Sequence, residues 1–425
     1  MAIRRESIVC PGCACLCDDL DVTLEGGNIV EVDNVCLWGV DRFLHTKKFH
    51  PKKDRGRLRL PQVRRRGRLE AVSYETALEQ AAQVLLRARH PVVYGLTKSG
   101  SRAQEAALKL ARSLGARLEP GDLAFQAPFY RSRSEHRLSL ATLEMIRDEA
   151  DTVVYWGANP LHSCPRHLAR YGAFARGRFT ERGVEDRQVA AVDIFRTEMA
   201  KVCHLFLRVA PAEEAALIEG VTAALAGDPA AGTPVKGTRR LVEFFRRAHR
   251  GVIFCGRGVS YGEARVYDRL ARLAAALRGQ ARLSLFPLAA DFNSAGLYHL
   301  LLRDFGSAGA PDFGAGPQPV IHPDPVDFRE VDAVLVVGAD PLWFLPDDRI
   351  QDLKARQVPL VALSPFGNRT TTLARVVFPV ALAGVETTEL AYRMDGLPLV
   401  LRQLTPSSLP PDHQVLVDLE RLSRG

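Results

Sequence analysis

The stretch Val153-Val154-Tyr155-Trp156-Gly157-Ala158-Asn159-Pro160 decides the fold. Its apolar half is too continuous for a strand with one wet face, so it reads as a strand covered on both sides. The glycine lets backbone approach a ligand closely. Asn159 adds a short polar handle, and Pro160 suits the first turn of a helix. The pattern returns at Leu335-Val336-Val337-Gly338-Ala339-Asp340-Pro341. One copy alone is a common strand-end turn. Two copies, each closing a buried strand, imply two α/β halves with ligand positions at the carboxyl ends of their sheets.

The chain around these turns alternates in the same way. Strands are expected at 91–95, 151–156, 189–192, 205–209, 251–255, 282–286, 331–337, 358–363 and 376–380. Helices are expected after Ser73, a good N-cap, over 101–115, from Pro211 to about Ala226, over 262–277 and 294–305, and after Pro346. Residues 227–237 read as a linker. Residues 306–327, rich in Gly, Pro and Asp, read as an irregular surface loop. Apolar strands alternating with helices mean parallel sheets covered on both faces.

A smaller β region precedes this alternation. Leu20–Leu24 and Ile29–Val32 alternate about Gly26-Gly27-Asn28, a hairpin signal. Leu58–Leu60 and Arg68–Val72 read as a second hairpin turning near Arg66-Gly67. The expected division is a cysteine-rich β domain over 1–72, a first α/β domain over 73–230 with part of 331–425, and a second over 238–330 extending into 331–425.

The β region holds five of the eight cysteines: Cys10, Cys13, Cys15, Cys17 and Cys36. Four fit C-x2-C-x3-C-x18-C, with Cys15 left over. Thiolates are soft donors that suit iron–sulfur clusters or zinc. Clustering in one turn fits a metal better than a disulfide knot or packed free thiols. A four-iron cluster is favoured over zinc, because the x3 step is unlike the paired C-x2-C knuckles of zinc sites. Cys164, Cys203 and Cys255 read as small core residues.

Composition narrows the classes. The 425 residues are 47% hydrophobic and 25% charged, ordinary for a soluble globular protein. No apolar run approaches the ~20 residues that cross a bilayer, and the first residues lack an apolar leader. A cytoplasmic location without membrane partners is expected, and a reducing compartment favours metal over disulfide. The net charge of +8 is uneven. Lys52, Lys53, Arg55, Arg57, Arg59, Arg64, Arg65, Arg66 and Arg68 crowd one stretch beside a single Asp54. No aromatic residue is interleaved and no nucleic-acid module is visible, so this run reads as a solvated hairpin or an anionic partner surface, not a nucleic-acid site.

Longer motifs carry a resemblance. Cys10-x2-Cys13-Ala14-Cys15-Leu16-Cys17-Asp18-Asp19 is followed by Trp156-Gly157-Ala158-Asn159-Pro160-Leu161-His162-x2-Pro165-Arg166-His167-x2-Arg170-Tyr171. Then come Arg182-Gly183-x2-Asp186-Arg187, Asp193-x2-Arg196-Thr197-x2-Ala200, Gly384-Val385-Glu386 and Arg393-Met394-Asp395-Gly396. The chain resembles the B-type subunit of formylmethanofuran dehydrogenase, and of the related formyltransferase/hydrolase complex, within the molybdopterin oxidoreductase superfamily. The resemblance implies an α/β fold: a small cysteine-rich β domain, then Rossmann-like parallel-sheet domains, with no C-terminal β-barrel domain. It implies a four-iron (4Fe-4S) cluster on Cys10, Cys13, Cys17 and Cys36. It places Gly157, Asn159, Pro160, Asp193, Thr197, Gly338 and Asp340 where relatives contact two pterin dinucleotides. His162, Pro165, Arg166 and His167 would line the cavity side of the first turn, or the histidines would join a buried polar network.

The departures matter as much. Redox-active relatives bind molybdenum or tungsten through a cysteine or selenocysteine shortly after the first helix of the first α/β domain. Here that region, Glu119–Tyr130, has no cysteine and no serine. The stretch Glu386-Thr387-Thr388-Glu389-Leu390 lacks the family's usual glycine. The resemblance therefore implies a structural, non-redox subunit without molybdopterin or tungstopterin. Its partners would be the other subunits of a formyltransferase/hydrolase or formylmethanofuran dehydrogenase complex. That complex moves a formyl group from tetrahydromethanopterin to a methanofuran-type carrier. A catalytic molybdenum or tungsten subunit is the alternative.

Overall fold

The computed structural model describes residues 2–44, 56–138, 141–228, 235–261, 265–277, 281–314, 316 and 318–424. The chain divides by the sheets it builds: Met1–Leu123 with Asp291–Gly425 form one unit, and Ala124–Ala290 the other. This partition crosses the sequence-based one, because strands distant along the chain pair in one sheet. Pro91–Gly95 lies parallel to Ala333–Val337, Val93 opposite Leu335.

The first unit holds a nine-stranded sheet. Its order is Val320–His322, Ala310–Asp312, Arg117–Pro120, Pro91–Gly95, Ala333–Val337, Leu360–Ser364, Val376–Pro379, Gln62–Arg65, Arg68–Ala71. The five middle strands are parallel, and an antiparallel pair flanks each side. Side chains alternate between two buried faces. Val92, Val334, Val336, Leu360, Ala362 and Val377 form a core on one side, while Val93, Leu335 and Val361 are buried on the other. Burying such a side chain contributes about 1.5–3 kcal/mol. This two-sided burial is why these strands read as unbroken apolar runs.

Three sequence expectations change here. The second hairpin pairs Gln62–Arg65, not Leu58–Leu60, with Arg68–Ala71, and it extends the large sheet through Val63 opposite Val376. Its turn sits where expected: Arg66 and Gly67 have φ of +47° and +82°, the paired positive angles of a tight hairpin turn. Residues 306–327 are not wholly irregular, since Ala310–Asp312 and Val320–His322 form an edge pair. Part of the basic run, 52–55, lies outside the described residues. Of the rest, Arg57 is buried, pairs with Glu386 and donates to the carbonyls of Pro365 (2.7 Å) and Val380 (3.0 Å). Arg64 donates to the carbonyl of Ala374 at 3.0 Å. These arginines hold the ends of strands, so the run is not simply a solvated face.

The cysteine segment belongs to this unit as well. Ile3–Ile8, Leu20–Glu25 and Asn28–Asp33 form a three-stranded antiparallel sheet. Val9 and Leu16 pack with Phe292, Ala383, Ala391 and Leu401 of the C-terminal segment. That segment forms its own ribbon, Glu389–Tyr392 against Pro398–Leu401.

The second unit is a five-stranded parallel sheet ordered Leu205–Arg208, Gln188–Asp193, Thr152–Trp156, Arg250–Cys255, Arg282–Pro287. Every residue of the middle strand is buried. The helix Pro211–Ala226 starts at its proline and stops at Gly227, whose φ is +70°, as the sequence indicates. Among the described residues no helix is long and apolar enough to cross a membrane.

Candidate functional site

Each Gly-Ala-(Asn/Asp)-Pro turn closes the central strand of its own sheet. Gly157 (φ +55°) donates its N–H to the Val192 carbonyl at 2.8 Å, and Gly338 (φ +61°) to the Leu363 carbonyl at 3.1 Å. Asn159 (φ −121°, ψ 85°) and Asp340 (φ −135°, ψ 77°) adopt nearly the same conformation, and each precedes a proline that opens a single helical turn. The echo in sequence is thus an echo in backbone. A side chain at Gly157 would lie 2.8 Å from the Val259 nitrogen, so only glycine fits this close crossing of two strand-end turns.

The polar handles are spent differently. The Asp340 carboxylate accepts from the backbone N–H of Arg369 (3.1 Å) and Thr370 (3.0 Å) and from the Thr370 hydroxyl (2.6 Å). Asn159 donates from Nδ2 to Glu198 at 3.0 Å, and its buried Oδ1 has no hydrogen-bond partner. Asp193 ends its strand, with its carboxyl pushed upward mainly by burial. The Thr197 hydroxyl is also buried without a partner. Pro160 is buried. Sequence reading misses Glu214, in the first turn of Pro211–Ala226. It accepts from the Trp156 indole at 2.8 Å, and burial raises its carboxyl to about 7. An acid in a helix's first turn is so common a partner of the helix dipole that nothing in the sequence marks this one.

The two histidines part company. His162 is exposed, 3.4 Å from Glu198. His167 is fully buried, edge-on to Phe254 at 4.4 Å and to Tyr155 at 5.9 Å, with neither ring nitrogen hydrogen-bonded. It sits in the core, and its ring joins no polar network. Burial lowers its pKa from 6.5 to about 3. Between those values the unfolded chain binds a proton that the folded chain refuses, so stability present above about pH 6.5 is lost as pH falls. We expect urea unfolding at pH 5 to show about 2 kcal/mol less stability from this residue than at neutral pH. His167→Phe should remove that part of the slope; an unchanged slope would refute the assignment.

The cysteines gather at one end of the first unit. Cys10, Cys13, Cys15 and Cys17 are buried and Cys36 is partly so, and none is in a disulfide. The turn is closed by the Cys10 N–H on the Cys17 carbonyl (2.8 Å) and the Leu16 N–H on the Cys13 carbonyl (3.1 Å). Cys36 caps the helix Leu37–Phe43. Burial, then the charges of Cys13, Cys17 and Cys36, hold the Cys10 thiol well above its ordinary range. Thiolates crowded in this way need a cation to compensate them. Two glycines shape the cradle: a side chain on Gly12 would stand 3.2 Å from Cys10 Sγ, and one on Gly39 3.0 Å from it. The donor set fits a thiolate-bound metal. Cys15, which the spacing leaves over, has its sulfur within 4.8 Å of that of Cys13. Cys164 and Cys255 are buried, while Cys203 is partly exposed.

Gly338 and Asp340 line a cavity of about 270 Å³ in the first unit, together with Arg42, Lys98, Ser99 and Asp412.

Two open sheets, each with a glycine turn at the carboxyl end of its central strand, are the α/β fold of molybdopterin-type oxidoreductases. Solved structures agree on the fold. A chain of the formyltransferase/hydrolase complex (FhcABCD) of Methylorubrum extorquens, in complex with methylofuran, aligns with TM-score 0.67 at 21% identity, covering 85% of this chain and 98% of that one. Acetylene hydratase of Pelobacter acetylenicus aligns with TM-score 0.61 at 12% identity, covering 98% and 70%. No family model matches the chain. The chain belongs to the family of formylmethanofuran dehydrogenase B-type subunits. It is 32% identical to the B-type subunit of the tungsten-containing formylmethanofuran dehydrogenase 2 of Methanocaldococcus jannaschii, over 97% of its own length and 96% of the relative's. It is 28% identical, over the same shares, to the corresponding subunit from Methanococcus maripaludis.

Proposed function

We propose that this chain is the structural, non-redox B-type subunit of a formyltransferase/hydrolase-type complex that works on a methanofuran-type carrier. It is read as cytoplasmic, with the other subunits of the complex as partners. Redox-active relatives bind tungsten or molybdenum through a cysteine or selenocysteine, and Glu119–Tyr130, where they supply it, has neither. That absence of a donor carries the reading. In its place Glu119 is buried and accepts from Arg117 at 2.7 Å, and Asp122 accepts from Ser294 and Tyr298 at 2.8 and 3.1 Å. Gly157, Asn159, Pro160, Asp193, Thr197, Gly338 and Asp340 are then retained pterin positions serving the fold. The β-barrel that completes such a site would come from another subunit.

Cys10, Cys13, Cys17 and Cys36 would hold a four-iron cluster, whose chemistry here is to tie the cysteine-rich N-terminal segment together. A single zinc ion sets four sulfurs about 3.8 Å apart. Among the described residues, these four form no set of three or more within 4.8 Å of one another, a spacing that favours a larger cluster.

Both curated relatives are tungsten-containing, which favours a second reading, a catalytic subunit interconverting formyl carrier or formate and carbon dioxide. Metal analysis of the purified complex separates the two. We expect no tungsten or molybdenum. One such atom per chain, with formate-dependent dye reduction, would overturn the structural reading.

A further inference from the structure

We infer that the cavity at the amino end of the second unit's sheet binds a small organic anion, an apolar body carrying one carboxylate or phosphate, held by Arg137 and Arg282. The Gly157 turn follows the carboxyl end of the same sheet. The two sites are therefore at opposite ends of the strands, and this one is independent of any pterin.

The cavity measures about 400 Å³, within the range of small-molecule sites. It lies where Arg250–Cys255 and Arg282–Pro287 begin. Leu138, Ile146, Ala150, Ala274 and Leu283 line it, and all but Leu138 are fully buried. Such a floor takes up an apolar body and offers a charged group no partner.

The rim is cationic. Arg137, Arg250 and Arg282 are exposed and line the cavity, and Glu149 is the one acid among its described lining residues. Glu149 is already paired with Arg250. Arg137 and Arg282 have no ion pair or side-chain hydrogen bond among the described residues. Arg282 also stands in register beside Arg250 on the neighbouring parallel strand. Like charges so placed repel, and Glu149 answers one of them. A bound anion would answer the other, since a guanidinium fork matches the paired oxygens of a carboxylate or phosphate.

Arg137 occupies a position that does not favour it. The helix Leu123–Glu135 closes with the Leu138 N–H on the Arg133 carbonyl (3.0 Å) and the Arg137 N–H on the Ser134 carbonyl (3.2 Å), the two bonds of a Schellman turn. The left-handed residue of that turn is ordinarily glycine. Here it is Arg137, with φ +49°. Cations past a helix end can serve the helix dipole alone. The bases in the last turns of Leu123–Glu135 and Leu143–Glu149 are Arg133 and Arg147, and neither lines the cavity. Arg137 and Arg282 lie beyond those turns, at the rim.

The test is calorimetric titration of the purified complex in about 0.15 M sodium chloride. The probes are naphthoate and naphthyl phosphate, with naphthamide as the neutral control. One anion per copy of this chain is expected, half-complete at about 0.1–1 mM, and the tighter anion identifies the head group. Naphthamide should bind at least about tenfold more weakly. Arg137→Gln and Arg282→Gln should each weaken the anions by about three- to tenfold. Both residues are exposed, so these variants should keep the fold, which circular dichroism and the elution volume of the complex check. Arg240→Gln, at an exposed arginine away from the cavity, should change nothing. The absence of saturable anion binding to the intact complex overturns the proposal; that is the result if a partner subunit covers the cavity. Naphthamide binding as tightly as the anions overturns it too, as do Arg137→Gln and Arg282→Gln binding like the parent, or Arg240→Gln losing as much as they do. None of these results bears on the proposed function, which the metal analysis decides.

Discussion

Anaerobically prepared protein is expected to carry about four iron atoms per chain and to lose them when Cys10, Cys13, Cys17 or Cys36 is replaced by serine. Cys10→Ser should act most strongly. Its sulfur is the one that both Gly12 and Gly39 make room for, and it feels the charges of all three others. Metal binding by such a site is also folding free energy. Loss of the cluster should therefore lower stability by at least about 3 kcal/mol, or roughly 6–12 °C in Tm for a unit of this size. Cys15→Ser is the control. Its thiol is buried beside Cys13 but outside the four-ligand spacing, so iron content should persist. Iron determination with electron paramagnetic resonance decides the matter. A colourless, iron-free protein that folds normally, or one in which only Cys15→Ser removes the metal, would end the assignment.

The second large effect lies in Arg393-Met394-Asp395-Gly396. The side chains of Arg393 and Asp395 are both fully buried and joined by a two-pronged ion pair, Nε to Oδ1 at 2.8 Å and the terminal nitrogen to Oδ2 at 2.6 Å. Removing one partner strands a buried charge, at a cost of about 3–5 kcal/mol. Asp395→Leu should show that loss in urea unfolding. Arg393→Met with Asp395→Leu should recover most of it, since a matched apolar pair leaves no charge uncompensated. Between the two charged residues, the Met394 N–H donates to the Ala14 carbonyl at 3.0 Å. Asp395→Leu should accordingly lower iron occupancy too. Equal, small effects from the single and double variants would show that the pair does not brace the cysteine turn.

Strand content is legible in the sequence because both sheets are covered on both faces, so their strands stand out as apolar runs such as Val153–Trp156 and Ala333–Val337. The paired turns are legible because Gly157 and Gly338 meet the same backbone demand. That Cys10, Cys13, Cys15 and Cys17 share one tight turn can be read from spacing alone. The division into units cannot. It depends on Val93 meeting Leu335, a pairing that leaves no local trace. The hairpin strand is misplaced by a sequence reading because Leu58 and Leu60 are more apolar than Gln62–Arg65, although Val63 is the one of these residues that is fully buried. His167 reads as a cavity-lining histidine or a member of a buried polar network, and only packing reveals it as an unbonded core ring.

The pairing of Pro91–Gly95 with Ala333–Val337 also orders events during synthesis. Residues 124–290 form an uninterrupted segment with a sheet of its own, and that sheet can assemble as soon as the segment has left the ribosome. The first unit must wait. Its early strands, Gln62–Arg65 and Pro91–Gly95, have unpaired edges until Ala333–Val337 and Val376–Pro379 are made. The cysteine turn waits as well, because Met394 and Leu401, which hold it, are translated long after it. Insertion of the proposed cluster would therefore be a late step, and a chain stalled before residue 376 would present bare strand edges and uncradled thiols together.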